Sequence, residues 1–589
     1  MLRVSVATGF VFTLLLTPLG IAQKSGASGG EQGEDAKALY AKGLAELQAG
    51  DLTGARAIFE SVVRLVPASA EAHNSLGFVL LTEGDVAGAV AQLQEAVRLK
   101  PELVQAHTNL SGAYLQNGNT QLAVGEAREA VRLAPEDSEA QRTLGRAQTF
   151  AGDLDAAVSA FERAIALEPQ RAQLYDELGT VLVQQEKLRE AATQFVKATE
   201  LAPEALSPHL HLGALREQQH APEEAEPELR RALRIDPGNA QAHYYLARAL
   251  RSENKPEQAA SEYREALQAQ ADFPNALHEL GILLQRAGEA EEAAAVFRKL
   301  TALQPDDSDA RNNLGLALMQ IGDGKGSVAE FEAALRLRPE DSEYRKNLGA
   351  AYLQMTDFDA AEEQFSVALK TTPNDPTLHY DLGLALKLKD HLPEAVAELR
   401  KATEIDPQQP DAHYTLGVTL WQSGELRAAE QELHAAIRAK PDYAEAYYTL
   451  GTVLRQEGNM PAAAAALREA IRRQPDFSGA HTTLAAVLRQ LGDAAGAAAE
   501  NKAGAEILRE KNSLQSAVFA TNSGKRLLSA GDLDGAVSQF RVAISAKPDY
   551  AAAHYELGLA LRRKGDADAA QRELQEAARL DPRLVAPRP

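Results

Sequence analysis

The stretch "DAHYTLGVTLWQSGELRAAEQELHAAIRAKP", residues 411–441, reads as one helix, a reversal, a second helix and a stop. His413, Leu416, Gly417 and Leu420 share one face at 3.6 residues per turn. "SGEL" then breaks the pattern, and a second amphipathic run ends at Pro441, which lacks an N–H and disfavours helix in the residue before it. The same text recurs. Prolines fall at 67, 101, 135, 169, 203 and 237, then at 305, 339, 373, 407, 441 and 475, always 34 apart except where Ala271 replaces one. Pro548 and Pro582 keep the spacing but are displaced by five residues. With proline as position 32, sixteen repeats run from residue 36 to 584, with five extra residues at 512–516.

Other columns hold the same frame. Position 20 is Ala in fifteen repeats and Ser327 in the other; position 8 is Gly in thirteen, otherwise Ser111, Ala247 or Ala485. Position 7 is Leu except at Lys42 and Ser523, and position 24 is commonly Phe, Leu or Tyr, as at Phe59, Phe161 and Tyr263. Two antiparallel helices approach closely only where one presents a small side chain, which explains Gly at 8 and Ala at 20. One hairpin cannot bury its own apolar faces, so neighbours must stack. The expected fold is all-α, a solenoid of antiparallel helix pairs.

The Leu-Gly pair, the alanine, the aromatic or Leu four residues later and the closing proline resemble the tetratricopeptide repeat family over residues 36–584. The resemblance implies a right-handed superhelix whose first helices line a concave groove, and a role in binding peptides or protein surfaces. The "AHYxLG" pattern is similar to arrays in O-linked N-acetylglucosamine transferases, but no residues remain for their catalytic region. The family's clamp for carboxylate-ended chaperone peptides needs Asn at position 9, and no repeat here has one. The asparagine ladder of the transferase arrays survives at position 6 only in Asn109, Asn313, Asn347 and Asn522.

Eight of the thirteen histidines stand at position 4: 73, 107, 209, 243, 379, 413, 481 and 554. Elsewhere that column holds Leu39, Gln141, Tyr175, Leu277, Arg311, Arg345, Tyr447 and Ala520, a mixture no metal ladder would tolerate. Parallel copies on hairpins roughly 8–10 Å apart cannot converge on one zinc at about 2 Å. The histidines are expected to pack and to hydrogen-bond across the hairpin. No metal, cofactor or catalytic residue is expected. "GDGKGS" (322–327) lacks the Gly-Lys-Ser/Thr ending and preceding strand of a phosphate loop, and Gly322 fits the inter-helix turn. The sequon at Asn109–Ser111 falls inside a first helix.

The net charge of −22 argues against nucleic acid as a partner. The absence of cysteine removes disulfides and thiolate chemistry. Residues 1–22 have a basic start at Arg3, an apolar run around "FVFTLLL" and small residues before Gln23, the layout of a secretory signal. The expectation is export to the periplasm or exterior, with no membrane span after removal; the alternative is an anchor over residues 4–22. Residues 23–35 read as a flexible linker and 585–589 as a tail. Repeats 1–14 then occupy 36–511, an insertion or hinge 512–516, and repeats 15–16 residues 517–584. Arg509 stands in place of proline, Asn501 at the aromatic position and Gly504 at an alanine position, so a kink or hinge is expected there.

Positions 2, 5, 9, 12 and 13 of the first helix lie opposite the core stripe. Position 5 is tyrosine in Tyr380, Tyr414 and Tyr448 of three consecutive repeats. Trp421, the only tryptophan, lies seven residues after Tyr414, with Lys387 and Arg455 as its equivalents to either side. Exposed aromatics beside cations are common interface anchors. Position 13 supplies Gln422 and Gln456, whose amides can pair with a peptide backbone. These residues make repeats 11–13 the candidate site of a non-catalytic scaffold for protein or peptide partners. The alternatives are an accessory subunit of an envelope enzyme such as a glycosyltransferase, and homo-oligomerisation by end-to-end stacking.

Overall fold

The computed structural model describes residues 29–584, with side chains from residue 34. Residues 1–28 and 585–589, which carry the expected signal segment, most of the linker and the tail, lie outside that range. The described residues are helical throughout, without a strand, in two compact bodies, residues 1–304 and 305–589. Within each body, consecutive antiparallel helix pairs pack in chain order. Among these residues no helix is long and apolar enough to cross a membrane.

Repeat 12 shows how the hairpin is made. Its first helix is Pro410–Gln422 and its second Leu426–Ala439. Gly424 turns the chain between them at φ +84°, a conformation costly to any side chain with a Cβ. Gly322 does the same at φ +82° in repeat 9, so "GDGKGS" is a turn. Five repeats put Glu186, His220, Asn254, Thr356 and Asp390 at this left-handed corner instead. The two helices meet where Gly417 faces the buried Leu433: a Cβ on Gly417 would stand 2.9 Å from Leu433 Cγ. In repeat 10 the same contact joins Gly349 to the fully buried Phe365, where a Cβ would stand only 2.5 Å from Phe365 Cε1. Small residues also join successive repeats. Ala96 at position 27 clusters with Ala106 at position 3 of the next repeat, and Ala543 pairs likewise with Ala553.

Two expectations are corrected. The first helix is Gly29–Gln48, so residues 29–35 of the expected linker are helical. Residues 512–516 form no separate hinge segment. They lie inside one uninterrupted 36-residue helix, Ala494–Ser529, which merges the second helix of repeat 14 with the first of repeat 15. The cause is in the sequence. Residues 505–516, "AEILREKNSLQS", contain neither glycine nor proline to stop a helix.

The merger leaves repeats 14 and 15 without their usual contact, and the sequence records it. Asn501 occupies the aromatic position and is exposed, and Ser523 replaces leucine at position 7. The other exception at position 7, the exposed Lys42, belongs to repeat 1, the first of the described repeats. Repeat 15 therefore begins a new stack. Phe519, at the position 3 that repeats 2–14 and 16 bury, is 70% exposed.

The glycines divide by this packing. Gly349→Val should destabilise the second body by about 1–3 kcal/mol through overpacking against Phe365. Gly125→Ala, on an exposed helix face with nothing within 4 Å, should stabilise by about 0.5–1 kcal/mol. Thermal melts followed by circular dichroism read both signs.

Candidate functional site

The position-4 histidines explain themselves once both ring nitrogens are followed. His413 Nδ1 lies 2.6 Å from Glu432 Oε2 and Nε2 3.2 Å from the carbonyl of Pro407, which closes the preceding repeat. His107 does the same with Glu126 at 2.6 Å and Pro101 at 2.8 Å. An ionised carboxylate and a carbonyl only accept, so a ring that makes both bonds to them donates from both nitrogens, which is the protonated form. His209, His243, His379, His481 and His554 repeat the arrangement with a glutamate at position 23, and His73 uses Gln92. Arginine fits the same column for the same reason. Arg311 donates to Pro305 at 2.9 Å and pairs with Glu330 at 3.1 Å. These side chains, each reaching two partners, tie hairpin to hairpin. Among the described residues no cluster could hold a metal ion.

A second set of ties runs between first helices, from position 5 of one repeat to position 6 of the next. Tyr40 meets Ser75 at 2.8 Å and Asn109 donates to Asn74 at 2.9 Å. The buried Arg142 pairs with Glu177, and His211 Nδ1 lies 2.8 Å from Asp176. Asn347 donates to Asn312 at 2.9 Å. Asn109 is thus committed to a buried pair. Ser207 also donates to Asp176, at 2.6 Å, but it sits nearest the same histidine nitrogen that faces the carboxylate. Serine and aspartate flank one nitrogen, so this cluster cannot relay a proton through the ring as a hydrolytic triad does.

In repeats 11–13 the first helices Pro376–Leu388, Pro410–Gln422 and Ala444–Gln456 carry the candidate residues. Tyr380, Tyr414 and Tyr448 are half-buried and pack on one core cluster with Trp421. Their rings wedge against the residue that starts the next first helix: Tyr414 lies 5.0 Å from Tyr443, and Tyr448 4.8 Å from Phe477. Tyr380 instead hydrogen-bonds Thr415, and burial raises its pKa. Tyr443 and Phe477 escaped the sequence reading because position 34 carries no constant residue type. The Tyr443 hydroxyl donates to Asp411 at 2.7 Å; burial first, then that bond, holds it well above the usual range.

Trp421 is half-buried, and its Nε1 donates to Gln456 Oε1 at 2.8 Å. Gln456 is therefore engaged within the groove face, whereas Gln422 is exposed. Lys387 and Arg455 flank Trp421 one repeat to either side, both partly withdrawn from solvent. Burial alone lowers the pKa of Lys387, with no carboxylate acting on it. From residue 305 onward among the described residues, the other partly buried cations all have partners. Arg311 meets Glu330, Lys346 Glu343, Lys389 Glu362, Arg473 Glu469 and Lys547 Asp549, while Arg345 meets the Pro339 carbonyl. Lys387 and Arg455 have none. Nearby Asp381 is pushed up to about 6 by burial, against the pull of Lys346.

The profile described as Tetratricopeptide repeat matches residues 30–240, 278–342, 414–510 and 521–584 in overlapping segments. A further TPR repeat profile matches 388–424, and one described as YpiA-like, C-terminal tetratricopeptide repeats matches 240–307. The chain belongs to the tetratricopeptide repeat family. No curated protein matches it. Among solved structures, MamA is 27% identical over 28% of this chain and 96% of its own, with a TM-score of 0.28. The Cut9–Hcn1 hetero-tetramer of the APC/C aligns over 89% of this chain and 96% of its own at 14% identity and TM-score 0.35. YrrB, described as a TPR protein with an unusual peptide-binding site, is 22% identical over 32% of this chain and 96% of its own, with a TM-score of 0.27.

The histidine ties give a pH dependence with a definite sign. In His413 the Glu432 bond raises the pKa over the opposing burial; in His107 burial opposes, and Glu126 with the Pro101 carbonyl outweighs it. A raised folded-state value stabilises fully below the unfolded value of about 6.5 and is lost as pH climbs through the folded one. The melting temperature should therefore fall as pH rises above about 6.5. His107→Arg with His413→Arg, which keep both bonds charged, should flatten part of that fall. An unchanged slope would show that the rings are neutral.

Proposed function

We propose that the chain is a non-catalytic, exported scaffold that holds an extended peptide or a partner's surface against the first helices of repeats 11–13. The observation that carries the site is the Lys387–Trp421–Arg455 row: a half-exposed indole between two cations that the chain itself leaves unpaired. Family membership supports a binding role. The tyrosines contribute partly as wedges between repeats, which makes this wall stiff, and a stiff wall costs a ligand less ordering on binding. Export rests on the layout of residues 1–22.

Affinity capture from envelope extracts tests the reading. Wild type should retain a partner that Trp421→Ala releases while the melting curve is kept. Equal capture by both would remove the site, and mature protein found only in the cytoplasm would remove export. Self-association is a second reading, favoured by Phe519 and Leu508, 70% and 53% exposed on the long helix three turns apart. Sedimentation over a range of concentrations should then show a dimer that Phe519→Ser abolishes; a wild-type monomer throughout sinks it.

A further inference from the structure

We infer that the row Lys387–Trp421–Arg455 takes an acidic, extended segment of a partner protein, its carboxylates meeting the two cations and an apolar side chain lying on the indole. The inference rests on the scaffold reading and deepens it.

The argument begins with desolvation. Withdrawing a cation from water costs free energy unless a carboxylate, ring or carbonyl compensates it. The second body follows that rule at every partly buried Lys and Arg except these two. Both exceptions stand at the same repeat position, and the tryptophan between them is the only one in the chain. Acids were available to the sequence, which carries 83 Asp and Glu against 61 Lys and Arg. None is placed on this row.

The geometry narrows the ligand. Neighbouring helices lie roughly 8–10 Å apart, so the two cations, two repeats apart, span about 16–20 Å. An extended chain rises about 3.3 Å per residue, which sets two carboxylates about five or six residues apart. The acids on these first helices are Asp411 and Glu445 at position 2, near the other end of the helices, and the partly buried Asp381 at position 6, a turn and a half short of the row. That polarity confines an anionic segment to the row at position 12. A competing role exists, since cations near a helix C-terminus offset its partial negative charge. It would make Lys387 and Arg455 stabilising residues without a ligand.

Trp421 emission separates the two. The probe is the blocked peptide (Glu-Ser)4, titrated into the full mature chain at low salt, with (Gln-Ser)4 as its neutral match. A saturable change with the acidic peptide only is expected, weakened about tenfold or more, at least 1.4 kcal/mol, in Lys387→Gln/Arg455→Gln. Lys387→Arg/Arg455→Lys should restore it. No saturable change, equal response to both peptides, or a double glutamine variant that binds as well would overturn the inference. A double variant with a lowered melting temperature and an unaltered titration would assign these cations to the helix ends instead. If (Glu-Ser)4 fails while capture still depends on Trp421, only the acidic inference falls. Loss of both removes the scaffold site as well.

Discussion

Most of the hairpins depend on one crossing, where the backbone at position 8 touches a bulky side chain at position 24. A Cβ at Gly417 would reach within 2.9 Å of Leu433, and one at Gly349 within 2.5 Å of Phe365. Such a contact fixes the distance and angle of two helices to a few tenths of an ångström, because cores are packed at crystal-like density. Position 20 repeats the constraint with alanine, buried at Ala429 and Ala361. The stack follows from it. A hairpin of fixed shape presents the same surface every 34 residues, and alanine at positions 27 and 3 lets the next hairpin settle on it.

Packing of identical surfaces does not by itself fix register, and here polar ties add it. The position-4 side chain joins its own second helix to the proline that ends the repeat before. The pairs between positions 5 and 6 differ from junction to junction: Tyr with Ser, Asn with Asn, Arg with Glu, Asp with His. A slipped junction would bury Arg142 without Glu177, leaving a buried charge unpaired. The two cations of repeats 11 and 13 stand out against this economy of matched partners.

The repeat frame, the turn glycines and the small-residue columns were legible because each rests on one residue type at one spacing. The histidines were readable as structural, but their partners were not, since the proline carbonyl and the glutamate that the ring meets come from other parts of the chain. Near 512–516 the sequence reading expected a kink or hinge, and the structure carries one helix through to Ser529. A lost proline at Arg509 says that a stop is missing, and only the helix-forming run after it says what replaces the stop. Asn501 and Ser523, met as exceptions, mark the two sides of a junction that does not form. At the site, the sequence reading put Lys387, Trp421 and Arg455 at one repeat position, and each is half-buried on its own first helix. It could not tell that Gln456 is taken up by the indole, or that the tyrosines lean on Tyr443 and Phe477.

An electropositive, reachable wall on a chain of net charge −22 is the claim on which the functional account stands. Collisional quenching of Trp421 fluorescence by iodide and by caesium measures it with no partner needed. The account predicts that iodide quenches more efficiently than caesium, despite the acidity of the chain as a whole. Stronger quenching by caesium, or none by either ion, would contradict it.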